Sequence, residues 1–101
     1  MHVGVCQVQL FLPENHSLKD KSRVLKSLIK RLQNKFNLSV AETGCQDNWQ
    51  QAVLAFSVLS SNHALVNRIL DKILDFIEST GIMVGDSSLE IMTFSDSFPE
   101  R

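Results

Sequence analysis

The chain has 101 residues, a formal net charge of −1 and 44% hydrophobic residues. This length fits one domain with one core, and the balanced charge gives no overall attraction to nucleic acid. The longest apolar run, residues 52–56, is too short to cross a membrane, and no secretory signal is apparent. Cys6 and Cys45 match no metal or redox spacing, so we expect a cytoplasmic protein with reduced thiols, no metal and no cofactor.

Residues 2–12 predict a first strand, because apolar side chains alternate along them. One face of this strand is uniformly apolar, and the other is mixed. Pro13 ends the extended segment, and residues 13–16 form the loop to the next element. The apolar face is expected to meet the core with Cys6, Val8, Leu10 and Leu12.

Residues 17–36 predict an amphipathic helix that holds most of the positive charge. The segment contains seven of the ten Lys and Arg residues and one acid, so it carries +6 and the remainder carries −7. Ser17 and Asp20 match a capping box. An apolar stripe at three- and four-residue intervals comprises Leu18, Leu25, Leu28, Ile29, Leu32 and Phe36. A second stripe, about 60° wide and on a different side, comprises Lys19, Arg23, Lys26 and Lys30.

The rest of the chain predicts a hairpin, a second helix and a final strand. Strands at residues 38–43 and 49–60 are joined by a turn that is too short for a crossover. A helix follows from a cap at Ser61 or Asn62 to about residue 80, with Gly81 ending it. Residues 83–94 contain a less regular strand, and a polar tail begins at about residue 95.

The element order β-α-β-β-α-β predicts a single ferredoxin-like α+β domain over residues 1–101. We expect a four-stranded antiparallel sheet in the spatial order 4-1-3-2, with both helices on one face. The helix-free face would then be apolar enough to favour a homodimer. It is expected to hold Val3, Val5, Phe11, Val53, Ala55 and Leu59, together with Met92 and Phe94.

Several blocks of the sequence resemble the YlxP-like family of small bacterial proteins. They are HSLKDKSR at residues 16–23, Ser27-Leu28, FNLSVAE at residues 36–42, and QDNWQ at residues 46–50 followed by Ala52. The resemblance covers nearly the whole chain and implies a ferredoxin-like fold. It implies no reaction, since the family has no established one. The genes of the family commonly lie among translation and ribosome-maturation genes, which is a contextual link to the ribosome.

Three groups of residues are candidate binding sites. The basic stripe Lys19, Arg23, Lys26 and Lys30 could bind RNA phosphates, or could be a solvated helix face. We expect the loops after the first and third strands to leave the same sheet edge, so that both helix N-termini converge there and suit an anion, although ordinary capping is the alternative. That predicted anion site comprises His16, Ser17, Lys21, Asn62 and His63. Asp47, Trp49 and Gln50 at the hairpin turn could form a recognition surface, with Trp49 as a packing anchor otherwise.

No catalytic constellation can be assembled from the sequence, so we expect a protein that is not an enzyme. An RRM is disfavoured because the aromatic RNP pattern is missing and Phe11 and Phe56 have opposite parity. The leading hypothesis is an RNA- or ribosome-associated binding protein that uses its basic first helix. The alternative is a homo-oligomeric regulatory or small-anion-binding module.

Overall fold

The computed structural model describes residues 1–95, 97 and 98, and its elements follow the predicted order. The strands are β1 (His2–Phe11), β2 (Ser39–Gly44), β3 (Gln51–Ser60) and β4 (Met83–Thr93), and the helices are α1 (Leu18–Lys35) and α2 (His63–Ser79). The four strands form one antiparallel sheet in the order β2-β3-β1-β4. The ferredoxin-like α+β fold and its strand order are therefore confirmed. Residues 96 and 99–101 of the predicted polar tail lie outside the described residues.

The core lies between the sheet and the two helices, which cover the same sheet face. Alternate residues of the two central strands are buried there, as the strand period of two requires. On the helices, buried positions recur at intervals of three and four. The strands contribute Cys6, Val8, Leu10, Ala52, Leu54, Phe56 and Val58, and the helices contribute Leu25, Leu28, Leu32, Val66, Leu70, Ile73 and Ile77. Leu18, expected in the core, is largely exposed instead.

Both helices begin at capping side chains. Ser17 Oγ accepts a hydrogen bond from the Asp20 amide at 3.0 Å, and the Asp20 carboxylate reaches back to the His16 amide at 3.0 Å. Asn62 caps α2 by accepting from the Leu65 amide at 3.1 Å. The second helix ends at Ser79 with Thr80 as its C-cap, and Gly81 follows as the predicted C′ residue, with a positive φ of 87° that suits glycine.

The other face of the sheet carries no helix, and it holds the residues expected there. Cα pairing sets Val3 opposite Leu59 and Met92, and sets Phe11 opposite Met83 at the other end. Leu59 is 64% exposed, and Met83, Met92 and Phe94 are also exposed. The predicted opposite parity of Phe11 and Phe56 is confirmed, because Phe56 is buried under the helices.

Candidate RNA-binding surface

The four residues of the basic stripe are exposed on the side of α1 that faces away from the core. Among the residues that the structure describes, none of the four side chains makes an ion pair or a hydrogen bond. Lys19 and Lys30 are eleven positions apart, so the stripe spans about 16 Å of helix axis. The stripe is therefore a row of available positive charges: Lys19, Arg23, Lys26 and Lys30.

The other three basic residues of α1 are engaged in contacts within the protein. The guanidinium carbon of Arg31 lies 5.2 Å from the centre of the Phe76 ring, and Lys35 Nζ lies 4.8 Å from it. These distances are typical of cation–π interactions. Phe36 also contacts Phe76 edge-on, with ring centres 6.1 Å apart. These contacts join the C-terminal ends of α1 and α2. Arg31 and Lys35 are therefore less available to an external anion than the four residues of the basic stripe.

Lys21 is buried at the other end of α1, with only 3% of its surface exposed. Its ammonium group donates to the backbone carbonyls of Cys45 at 2.8 Å, Gln46 at 3.2 Å and Gln51 at 3.3 Å. It also lies 2.9 Å from Glu42 Oε2. An ammonium has three N–H donors, and the three carbonyls account for all of them. Four oxygens therefore surround three N–H donors, and Glu42 Oε2 supplies the negative charge that balances the buried ammonium group.

Residues 45–50 form the hairpin tip, which is tied to the loop before α1. Leu12 donates its amide to the Gln50 carbonyl at 2.8 Å, and the Asn15 side chain donates to the Trp49 carbonyl at 3.3 Å. The Gln50 side chain donates back to the carbonyls of Pro13 and Asn15. Because Trp49 and Gln50 serve this junction, β3 begins at Gln51, two residues later than predicted. The hairpin tip and the start of α1 thus form one continuous structure.

Trp49 lies on the surface of the hairpin tip, with 49% of its area exposed. The backbone of the tip holds it in place, while the indole N–H has no acceptor among the described residues. The interpretation of Trp49 as a packing anchor therefore explains the buried half of the residue but not the exposed half. The contacts that fix the tip come from Asn15, Lys21 and Gln50.

A groove between α1 and the edge strand β2 connects the hairpin tip with the basic stripe. Lys26 of the stripe lines the helix side of this groove, and Gln46 of the tip lines its other end. The floor between them is mainly apolar. The remaining lining residues are Leu18, Lys21, Ser22, Leu25, Ile29 and Glu42.

The five residues of the predicted anion site do not come together. The prediction that both helix N-termini meet at one edge is wrong, because β1 and β3 are antiparallel and their C-terminal ends lie at opposite edges. His16 and Ser17 follow Phe11, whereas Asn62 and His63 follow Ser60, which pairs with His2. The His63 ring contacts the His2 ring there, with centres 5.4 Å apart. Lys21 is not free to bind an anion at either helix N-terminus, because its ammonium group contacts Glu42 and the tip carbonyls.

The helical periodicity of the sequence predicts the burial of Lys21, but the many basic residues around it make this position easy to miss. Lys21 precedes Leu25, Leu28 and Leu32 by four, seven and eleven residues, which places it on the core face. A lysine at such a position requires acceptors close to its nitrogen. Its partners lie far along the chain and could not be identified from helix periodicity alone.

The buried Cys6 thiol is poorly suited to act as a nucleophile. Burial raises the pKa of the Cys6 thiol, and the Asp71 carboxylate raises it further. The thiol is therefore protonated at neutral pH and is a poor nucleophile. Among the described residues, no group of three His, Cys, Asp or Glu side chains could hold a metal ion. No described helix is long and apolar enough to cross a membrane.

Comparison with known proteins supports the resemblance noted in the sequence. Residues 3–86 match the family model described as "Protein of unknown function (DUF503)". The chain is 36% identical over 77 residues to the "Uncharacterized protein YlxP" of Bacillus subtilis (strain 168), covering 76% of this chain and 84% of that protein.

Two solved structures share the fold at low sequence identity. The de novo designed protein Foldit4 superposes with a TM-score of 0.50 and 12% identity, over 93% of this chain and 98% of the design. The VAO-type flavoprotein MtVAO615 from Myceliophthora thermophila C1 gives a TM-score of 0.50 and 16% identity, over 91% of this chain and 16% of that protein. At these identities the likeness concerns the fold alone.

Proposed function

The chain belongs to the DUF503 family and is similar to YlxP, and from its own surface we propose that it is an RNA-binding protein that uses α1. The supporting observation is the row of four exposed cations that have no partner among the described residues. The proposed partner is RNA or a ribosomal particle in the cytoplasm, and the proposed role is binding without catalysis.

The distribution of charge favours a polyanionic partner. The segment 17–36 carries +6 while the rest of the chain carries −7, so the positive charge is concentrated rather than mixed. Lys19/Arg23 and Lys26/Lys30 are like-charge pairs at i,i+4, each unfavourable by roughly 0.2–0.5 kcal/mol. A bound phosphate chain would relieve this repulsion. The outer face of α2, in contrast, mixes both signs with Arg68, Asp71, Lys72, Asp75 and Glu78.

Contacts of this kind bind the phosphate backbone and read no base sequence. Lysine and arginine side chains on one helix face attract the phosphates of RNA of any sequence. Binding releases the counterions that were condensed on the RNA. Four contacts on single-stranded RNA give a slope of about −3 for log affinity against log salt, from roughly −0.7 per contact. Binding should therefore depend strongly on salt and weakly on sequence.

The test is a titration of labelled ribosomal RNA at two salt concentrations with wild type and the double variant Arg23→Glu/Lys26→Glu. We expect the variant to lose binding and to keep its fold, because both side chains point away from the core. The matched control is Arg68→Glu/Lys72→Glu, which makes the same change of net charge on the exposed face of α2. Equal affinities for wild type and the α1 variant would refute the proposal.

The helix-free sheet face supports a second proposal, that the protein is a homo-oligomeric module. This face exposes apolar side chains on β1, β3 and β4, among them Leu59, Met83 and Met92. A twofold dimer is the commonest way in which a soluble protein covers such a face. Dimerisation and RNA binding would use opposite sides of the molecule, so the two proposals are compatible.

A further inference from the structure

The hairpin tip presents an aromatic side chain on a fixed backbone. The backbone on either side of Trp49 is restrained: Asn48 Oδ1 accepts from the Gln50 amide at 2.8 Å, and the Trp49 carbonyl accepts from Asn15. Lys21 holds the carbonyls of Cys45 and Gln46 on the other side of the tip. The backbone that carries Trp49 is therefore fixed, and about half of the residue is exposed.

A half-exposed indole on a restrained turn is well suited to a planar partner. Tryptophan offers a large face at a low cost in conformational entropy, because only two torsion angles must be fixed. Its N–H usually finds an acceptor when the ring is covered, and here none is present among the described residues. The tip thus offers an aromatic face and an indole N–H to a ligand.

The groove between α1 and β2 runs from the basic stripe to the hairpin tip, where Gln46 lines both this groove and the hollow bordered by Trp49. Lys26 lies at one side of this groove and Gln46 at the other, three residues before Trp49. A chain whose phosphates follow the stripe can therefore extend along the groove and bring a base to the indole. Phosphate contacts together with an aromatic platform are the combination that proteins use to bind single-stranded nucleic acid.

We propose that Trp49 stacks on an unpaired base and makes the α1 surface selective for single-stranded RNA. This inference rests on the proposed RNA binding and adds the class of RNA. In a duplex the base faces are covered by their neighbours, so only a single strand can offer one to the indole. Lys21 is then a positioning residue, since its buried ammonium group holds the carbonyls of the tip that carries Trp49.

The test uses a short pyrimidine RNA strand of about twelve nucleotides, alone and annealed to its complement. Trp49 is the sole tryptophan and the chain has no tyrosine, so intrinsic fluorescence reports on this side chain directly. We expect the single strand to quench the fluorescence and to bind more tightly than the duplex. Trp49→Ala should weaken single-strand binding by roughly 5- to 150-fold and leave duplex binding unchanged. Trp49→Phe should recover part of the loss.

Phe94→Ala is the matched control, because Phe94 is about as exposed as Trp49 but lies at the end of β4 on the helix-free face. It should change neither affinity. If both RNA forms bind equally, or if the strand binds without changing the fluorescence, the role of Trp49 is overturned while RNA binding by the stripe stands. If neither form binds, both proposals are overturned.

Discussion

Lys21 is the residue on which the geometry of the hairpin tip depends. Three carbonyls converge on one side of the turn, and each would lack this donor without the ammonium group. Cys45 has a positive φ of 58°, a conformation that is uncommon for a residue other than glycine. Its carbonyl accepts from both Lys21 and the Asn48 amide, so the strained residue is held from two directions.

Lys21→Met should lower the free energy of unfolding by about 3 kcal/mol, because it leaves a partly buried carboxylate and three carbonyls without their cation. The value lies at the low end for a broken buried pair, since Glu42 is a quarter exposed. Denaturant unfolding measures the effect. Lys30→Met removes an exposed lysine from the same helix and should change stability by less than about 0.5 kcal/mol. Equal effects of the two substitutions would contradict the structural role.

At the scale of single residues, the sequence predicted caps and faces more reliably than partners. Ser17, Asp20 and Gly81 have the roles that short-range rules gave them. The ion pair of Lys21 with Glu42 joins a helix to a strand, so no local pattern contains it. The exposure of the Trp49 ring depends on the docking of the tip against Asn15, which is equally non-local.

Among the secondary-structure elements, α2 approaches the sheet at Gly4 of β1. A methyl group built on Gly4 would collide with Val66 Cγ1 and lie 2.7 Å from Leu70 Cδ1. The absence of a side chain at Gly4 therefore allows the helix to lie directly on the central strand. The sequence did not reveal this role, because a glycine within a strand pattern has several explanations.

Gly4→Ala should destabilise the protein by about 1–3 kcal/mol, as overpacking of a core does. The methyl group must displace Val66 and Leu70, whose side chains are fully buried. Thermal unfolding of a double-mutant cycle with Val66→Ala provides the measurement. The cost of Gly4→Ala should be smaller in the Val66→Ala background, with a coupling energy of about 1 kcal/mol. Strict additivity would show that the collision with Val66 is not the cause.

The order and faces of the elements were predictable because strand and helix periods are local properties of the sequence. The strand order followed from short connections and the preferred handedness of crossovers. The prediction of a shared anion site was wrong about strand direction. Because β1 and β3 are antiparallel, the helices that follow them begin at opposite ends of the strands. The predicted cluster of His16 with Asn62 and His63 failed for that geometric reason.

On the scale of the whole molecule, one side is basic and helical while the other is a bare sheet face. Val5, Val53 and Ala55 lie near the middle of that face and are partly exposed. Two copies related by a twofold axis could bury these residues against each other. The two α1 helices would then point outward in the dimer.

Leu59→Lys should convert the proposed dimer to a monomer, because Leu59 lies with Val3 and Met92 in the apolar part of this face, where a desolvated charge is costly. Light scattering at tens of micromolar measures the mass of both proteins. Asn67→Lys adds the same charge on the exposed side of α2 and should leave the mass unchanged. A monomer mass for the wild-type protein at that concentration would contradict self-association.

The strand order also predicts an order of events in folding. β1 is first along the chain, yet both of its neighbours come much later: His2 pairs with Ser60 and with Thr93. Among the described strand pairs, only β2 and β3 are joined by a short turn. Because distant pairings must first overcome the entropy of loop closure, we expect that hairpin to form early. During synthesis, β1 therefore stays unpaired on both sides until more than half of the chain has been made.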